Sequence, residues 1–388
     1  MRIHRISCRI SRKLFPRFDN HALQVSDKAA ANLLLIKTVF INNGMIDRLR
    51  MELNSDGEEA LYQISHRMWH PVAFEDDITE TPFSFQLLDE MCVAVKLGGQ
   101  ISVFQDLCIH RGTALSLGRV IGDELQCAYH GWRFSAGGAC TLIPSRPNRS
   151  IPPKAQIRKY SSILCGGLLW VCLRDHVIFP PPVFREWNNP NYRIVRVPTY
   201  DWHSSAARRI ENFVDFSHFP FVHAGILGLP NKAEIPDHDV IRNNHCLIFE
   251  LGIEEPTNEL KGDQALGVVI KRQPSKYTIS MPYSVELNQP LGDHDHFVLF
   301  MASSPISRKV TRTFCYCARN YDVGSENDEK FVEFQNVILE QDRVVVESQR
   351  PAELPIDLSE ELHTKGVDLV SIEYRKWLQE LAHLQSAT

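Results

Sequence analysis

No apolar run in this sequence reaches the length of a membrane span. The longest, Leu33 to Ile41, is broken by Lys37, whereas a span needs about 20 consecutive apolar residues. Membrane-spanning functions are excluded on this reading and no membrane partner is expected. Strong charge of one sign is missing as well: 42 Lys/Arg against 47 Asp/Glu leave a net charge of -5. That balance gives no electrostatic reason to expect a nucleic acid or an anionic surface as partner. The cysteines lack the density of a disulfide scaffold, ten being scattered over 388 residues, so a reducing cytoplasm is the expected compartment. Internal repeats and low-complexity tracts are absent too.

What is present is enough chain for two ordinary domains. The first 17 residues hold six Arg/Lys and no acidic residue, but serine is sparse and no apolar signal-peptide core follows. Residues 1–56 are therefore expected to be a disordered N-terminal extension, or the product of a start assigned too early, with Met45 or Met51 the real one. A β pattern follows in Phe83–Leu88, Cys92–Val95, Ile101–Phe104 and Leu168–Cys172, with Gly98-Gly99 and Gly137-Gly138 at turn positions. Pro180-Pro181-Pro182 is the candidate linker, dividing a domain at 57–178 from a second at 179–388. In the second, Ser204 or Ser205 caps a helix through Asp215, which Pro220 then kinks or ends. Further strands and two helices, near Asp328–Ser348 and Ser371–Leu384, complete the chain.

The strongest chemical signal is Cys108-Ile109-His110, then 16 residues, then Cys127-Ala128-Tyr129-His130. Two thiolates and two imidazoles suit a structural zinc or a Rieske 2Fe–2S cluster, in which Cys holds one iron and His the other. Zinc prefers other spacings, C-x₂₋₄-C and H-x₃₋₅-H. Glycine follows each histidine pair at Gly112 and Gly131, where backbone must pass close to a cluster.

A second constellation lies between Asn212 and His223. His218 and His223 would diverge on a straight helix, but a break at Pro220 lets both rings turn to one point. Two His and one carboxylate on one face of an iron leave positions open for dioxygen and substrate. The carboxylate is expected from the long helix, where Phe331, Ile338, Asp342 and Val345 share one stripe. A carboxylate in an apolar stripe is costly unless paired or bound to metal, which selects Asp342 over Glu340 and Glu347 on another face. Asp215, three residues before His218, can accept a hydrogen bond from that ring or be an ordinary helix-end residue.

The pattern C-x-H-x₁₆-C-x-x-H, then N-x-x-D-x-x-H-x₄-H, then a late aspartate resembles the large (α) subunit of Rieske non-haem iron oxygenases, over Tyr62 to Leu384. Finer segments resemble the homotrimeric branch: Trp69-His70-Pro71-Val72, Ser348-Gln349 and Tyr374-Arg375-Lys376-Trp377-Leu378. That branch holds methylxanthine N-demethylases, aromatic O-demethylases and hydroxylases of guanidinium toxins. The resemblance implies an α+β fold, an antiparallel β Rieske domain beside a catalytic domain of helices around an antiparallel sheet. It implies a cluster on Cys108, His110, Cys127 and His130, and a mononuclear Fe(II) on His218, His223 and Asp342. Dioxygen is then the cosubstrate, and electrons come from NAD(P)H through a separate reductase or ferredoxin. It also implies that Asp215 bridges His218 to the residue matching His130 of a neighbouring subunit in a homotrimer, and that Asn212 lies close to the iron.

The reaction implied is hydroxylation or oxidative demethylation of a small aromatic, heterocyclic or alkaloid-like substrate, in a pocket built from about Phe216 to Leu229 and later strands and mostly apolar. A cis-dihydroxylating arene dioxygenase and a zinc-stabilised binding module stand as alternatives. Four other features carry less. His66 and His70 have no third ligand and read as structural or exposed. Asp293-His294-Asp295-His296 reads as a solvated loop, and Cys315 with Cys317 as buried hydrophobes. Arg208-Arg209 reads as a solvated face or a docking point for the electron donor.

Overall fold

The first β-rich stretch alternates apolar and polar residues and folds accordingly. In the computed structural model, which describes residues 57–261 and 268–386, it forms a six-stranded sheet. The order is His70–Phe74, Leu168–Cys172, Lys159–Cys165, Gln100–Gln105, Glu90–Leu97, Phe83–Leu87, every pair antiparallel. Gly98 and Gly99, both at positive φ, close one hairpin. A four-stranded sheet of short strands between Arg119 and Leu142 packs on this one, Leu125 and Phe134 sharing a core with Val93, Val95 and Phe104. The expectations placed on residues 1–56 lie outside the described residues.

The second half is a seven-stranded antiparallel sheet in the order Arg193–Trp202, Val310–Arg319, His296–Ser307, Ser284–Pro290, Ser275–Ser280, Cys246–Leu251, Val240–Asn243. Helices cover one face: α1 (57–65), α2 (Ala206–Val214), α3 (Phe219–Val222), α4 (Asp328–Val346) and α5 (Leu369–Ser386). Ser205 caps α2, its hydroxyl accepting from the Arg208 N–H.

Both faces of the strand His296–Ser307 are buried, which is why it reads as a continuous apolar run rather than an alternating one. Phe297, Leu299 and Met301 face the helices, whereas Val298 and Phe300 join Phe314 and Tyr316 in meeting Phe74, Leu168 and Trp170 of the first sheet. Burial of each such aromatic contributes roughly 1.5–3 kcal/mol, so the interface between the two sheets is packed. The triple proline lies in an irregular segment, and Phe184 just beyond it already belongs to this shared core. Among the described residues no helix is long and apolar enough to cross a membrane.

Candidate metal centres

Cys108 and His110 sit on the loop after strand Gln100–Gln105, and Cys127 and His130 on the loop between Glu124–Gln126 and Arg133–Phe134. The two loops repeat one backbone pattern. Gly112 N–H donates to the Cys108 carbonyl and Gly131 N–H to the Cys127 carbonyl, while the cysteine N–H groups donate to Thr113 and Trp132 carbonyls. Gly112 and Gly131 have φ of 71° and 68°, a conformation that disfavours any side chain. The result buries both thiols and leaves His110 half-buried and His130 exposed. Trp132 stacks on His110, ring centroids 4.6 Å apart at 9°.

The donors fall into two pairs. The Cys127 thiol lies near enough to push the Cys108 thiol up, and the two histidine Nδ1 atoms are 3.2 Å apart. A tetrahedral zinc site would hold all four donors within about 4 Å of one another. No three of these four gather even within 4.8 Å, the limit within which His218, His223 and Asp342 do. Thiolates on one iron and imidazoles on another fit this spacing, and a single ion does not. Burial pushes the Cys108 thiol up to about 11, so the positive charge of a cluster is what would hold it as thiolate.

The second group is assembled by a break in helical structure. α2 ends at Val214, and Asp215 leaves the helix in extended conformation. The Ser217 N–H donates to Asp215 Oδ1 at 2.9 Å and its hydroxyl to the same oxygen. α3 is then bracketed by His218 at its start and His223 at its end. Pro220 is therefore not the residue that ends α2. It occupies the first turn of α3, where a missing N–H costs nothing, and the Asp215–Ser217 turn is what reorients the chain.

Asp342 arrives from α4. Its Oδ1 lies 3.2 Å from His218 Nε2 and 3.0 Å from His223 Nε2, yet both nitrogens are buried without a well-directed hydrogen bond. Two orphaned imidazole nitrogens facing one carboxylate oxygen are what a cation would satisfy, so these residues fit a mononuclear iron. Burial opposes the charges here, but is outweighed. The Asp215 hydrogen bond and the charges of Asp342 and Asp215 raise His218 to about 9, and the nearby imidazoles with the Arg209 charge hold Asp342 far below the usual carboxylate range.

A second layer orients the triad. Asp215 Oδ2 lies 3.4 Å from His218 Nδ1. Gln341 Oε1 accepts from His223 Nδ1 at 2.8 Å, leaving that ring's Nε2 free for metal. Asn212 Nδ2 donates to Asp342 Oδ1 at 3.2 Å. Gln341 carries no signal in the sequence beyond its place beside Asp342. The α4 stripe is Phe331, Gln335, Ile338, Asp342 and Val346. Val345, assigned to it from sequence, is 42% exposed, because the last step of the buried stripe is four residues and not three. Glu340 is exposed and paired with Arg343, and Glu347 accepts the His203 N–H at 2.8 Å.

Phe213, Phe216, Tyr277, Leu287, Phe297 and Leu299 wall a cavity beside the triad. The expectation of a mostly apolar lining misses one wall: Glu255, bonded by Lys261 Nζ at 2.9 Å and by Arg272 Nε, borders the same space. The arginine pair is also unlike its sequence reading. Arg208 is buried against Glu361 and the Pro351 carbonyl, and Arg209 lines the cavity; their hydrogen-bond partners are internal, so neither is solvated. His70 opens a strand and its Nε2 meets the Ser65 carbonyl. His296 Nδ1 meets Asn288, and Cys315 and Cys317 are buried.

Known proteins with this arrangement agree. Residues 68–161 match the Rieske [2Fe-2S] domain and residues 202–384 the vanillate O-demethylase oxygenase C-terminal domain. Methylxanthine N1-demethylase of Pseudomonas putida is 36% identical over 321 residues, 81% of this chain and 88% of that protein. Methylxanthine N3-demethylase of the same organism is 36% identical over 329 residues, again 81% and 88%. The solved structure of the P. putida CBB5 N1-demethylase with caffeine superposes with a TM-score of 0.73 at 35% identity, covering 84% of this chain and 93% of that one. The chain thus belongs to the Rieske non-haem iron oxygenases as their oxygenase α component, an enzyme with a 2Fe–2S cluster and a mononuclear iron that takes dioxygen, a small-molecule substrate and electrons from a separate reductase.

Proposed function

We propose that this oxygenase oxidatively demethylates a small methylated heterocycle. The observation that carries the reading is the cavity. Aromatic side chains make flat walls suited to a planar ring, and two amides, Gln289 from the sheet and Gln335 from α4, line the same space. Both residues are more than nine-tenths buried. An amide facing the cavity can donate to the carbonyl or ring-nitrogen acceptors of a heterocycle, which a plain arene lacks. Two relatives that are 36% identical and span 81% of the chain are N-demethylases, which favours this reading over cis-dihydroxylation.

The residue roles belong to the same proposal. Cys108, Cys127, His110 and His130 hold the cluster; His218, His223 and Asp342 hold the mononuclear iron. When bound, the iron activates dioxygen with electrons that the cluster relays. The chain's own work is to hold the His218 and His223 Nε2 atoms inward, through Asp215 and Gln341, and to exclude water with the aromatic walls. Asn212 steadies Asp342.

Asp215 further links the two centres of neighbouring subunits in a homotrimer. His110 and His130 turn Nδ1 toward each other, so the far nitrogen of the exposed His130 ring is open to a partner. Asp215 is 38% exposed on the other side of His218, on a surface rimmed by Leu362, which is 98% exposed. Two surface-accessible ends are what a bridge between copies requires, and a head-to-tail contact of this kind must close into a ring. The cytoplasm is the proposed compartment, and 57–178 with 179–388 the proposed division into Rieske and catalytic domains. The test is turnover of N-methylated heterocycles, methoxyarenes and methylated alkaloids with a surrogate reductase. Formaldehyde released in step with substrate loss supports the proposal; a cis-diol, or added oxygen with no formaldehyde from any substrate, rejects it.

A further inference from the structure

We propose that Arg209 is a positioning residue for the mononuclear iron: its guanidinium fixes the amide of Asn212, through it the carboxylate of Asp342, and supplies a permanent positive charge beside the site. The inference rests on the assignment of Asp342 as an iron ligand. Arg209 lies on α2 and is 1% exposed. Its hydrogen bonds go to the Tyr200 hydroxyl, at 3.1 Å from Nε and 2.9 Å from Nη2, and to Asn212 Oδ1, at 2.9 Å from Nη1. The guanidinium also stands 4.5 Å from the centre of the Trp202 ring. None of its donors meets a carboxylate among the described residues. A guanidinium is always charged, and a buried charge without a direct counter-charge is costly. A merely structural anchor could be had from an apolar side chain. Arg208, one residue away, has carboxylate partners in Glu361 and Glu211, so the helix is not short of anionic acceptors.

The hydrogen-bond direction is forced. Arginine has no acceptor, so Asn212 must turn its Oδ1 to Arg209, and its Nδ2 is then left to donate to Asp342 Oδ1 at 3.2 Å. That is the same oxygen that faces His218 and His223. The chain Tyr200–Arg209–Asn212–Asp342 therefore selects which carboxylate oxygen points at the metal position. Two hydrogen bonds away, the fixed cation favours the lower charge on the iron, and so raises its reduction potential.

Arg209→Met removes charge and fork while keeping the stem, and Arg209→Lys keeps the charge alone. In the full-length holoenzyme, ferrous iron affinity is read by chelator competition, the potential of the mononuclear iron by redox titration, and fold integrity by the cluster's visible spectrum. Arg209→Met is expected to weaken iron binding about 10–100-fold, the usual cost of losing an outer-shell partner, and to lower the potential. Arg209→Lys should weaken binding while holding the potential near wild type. Normal affinity and potential in Arg209→Met, or equal potential shifts in Met and Lys variants, overturn the proposal. Should Arg209→Met not fold, Arg209→Lys and Asn212→Leu decide: both must lose affinity, and unchanged binding in either rejects it. Asp342→Ala separates the underlying assignment, because normal iron content there removes the ligand reading itself.

Discussion

The two candidate metal centres are built on opposite principles. The Cys108/His110/Cys127/His130 site hangs on two short loops, its geometry set by repeated backbone hydrogen bonds and two glycines, with its histidines at the surface. The His218/His223/Asp342 site is drawn from segments more than a hundred residues apart, is largely buried, and is oriented by side chains: Asp215, Gln341 and Asn212. A centre that exchanges electrons with other proteins needs reach, and backbone loops supply precision without burial. A centre that activates dioxygen needs exclusion of water, and pays with buried polar groups that must each find a partner.

The sharpest way to break this contrast is to remove a ligand. His218→Ala, His223→Ala or Asp342→Ala should each abolish turnover and remove mononuclear iron, with the visible spectrum of the cluster intact; retained activity in Asp342→Ala would discard that ligand. Cys108→Ser should do the reverse, bleaching the cluster while iron still binds the second site, and loss of both metals would show that the sites are not separable. Smaller is the effect of Asp215→Asn, which keeps size and loses charge. Both metals should remain, and single-turnover electron passage from cluster to iron should slow roughly 10–100-fold; unchanged kinetics, or full activity in a monomer, would remove the proposed bridge.

The smallest effect concerns the junction between the sheets. Burial, with the neighbouring Glu186 charge, raises Glu286 to about 7, so the folded protein binds this proton more tightly than the unfolded chain does. That contribution to stability is complete below the ordinary carboxylate range and is lost as pH rises through about 7. Glu286→Gln should therefore raise the melting temperature at pH 8 and hardly change it at pH 4.5, a difference of about 1–3 kcal/mol between the two conditions. Equal shifts at both pH values would contradict the assignment of that charge.

What the sequence disclosed follows the same division. The Rieske loops were legible because ligand chemistry and spacing lie in one contiguous stretch. His218, His223 and Asp342 were legible because a carboxylate stands out in an apolar helical stripe. Gln341 was not, since it falls off the stripe and an amide carries no periodic signal. Arg209 was misread because charge on a helix usually means solvent, and only tertiary contacts reveal a buried one. The Glu255, Lys261 and Arg272 wall joins segments whose closeness no local pattern encodes. In the fold, the ends of strand His296–Ser307 carry no sequence signal, because its two buried faces erase the alternation that marks a strand end.

Iron, zinc and acid-labile sulfide analysis of the purified protein and of His218→Ala, beside the visible spectrum of each, bears most directly on two separable centres in one chain. About three irons and two sulfides per chain are expected in the wild type, falling to two irons and two sulfides in His218→Ala with an unchanged red-brown spectrum. Stoichiometric zinc without visible absorption, or a variant that loses its cluster together with the single iron, would contradict the account.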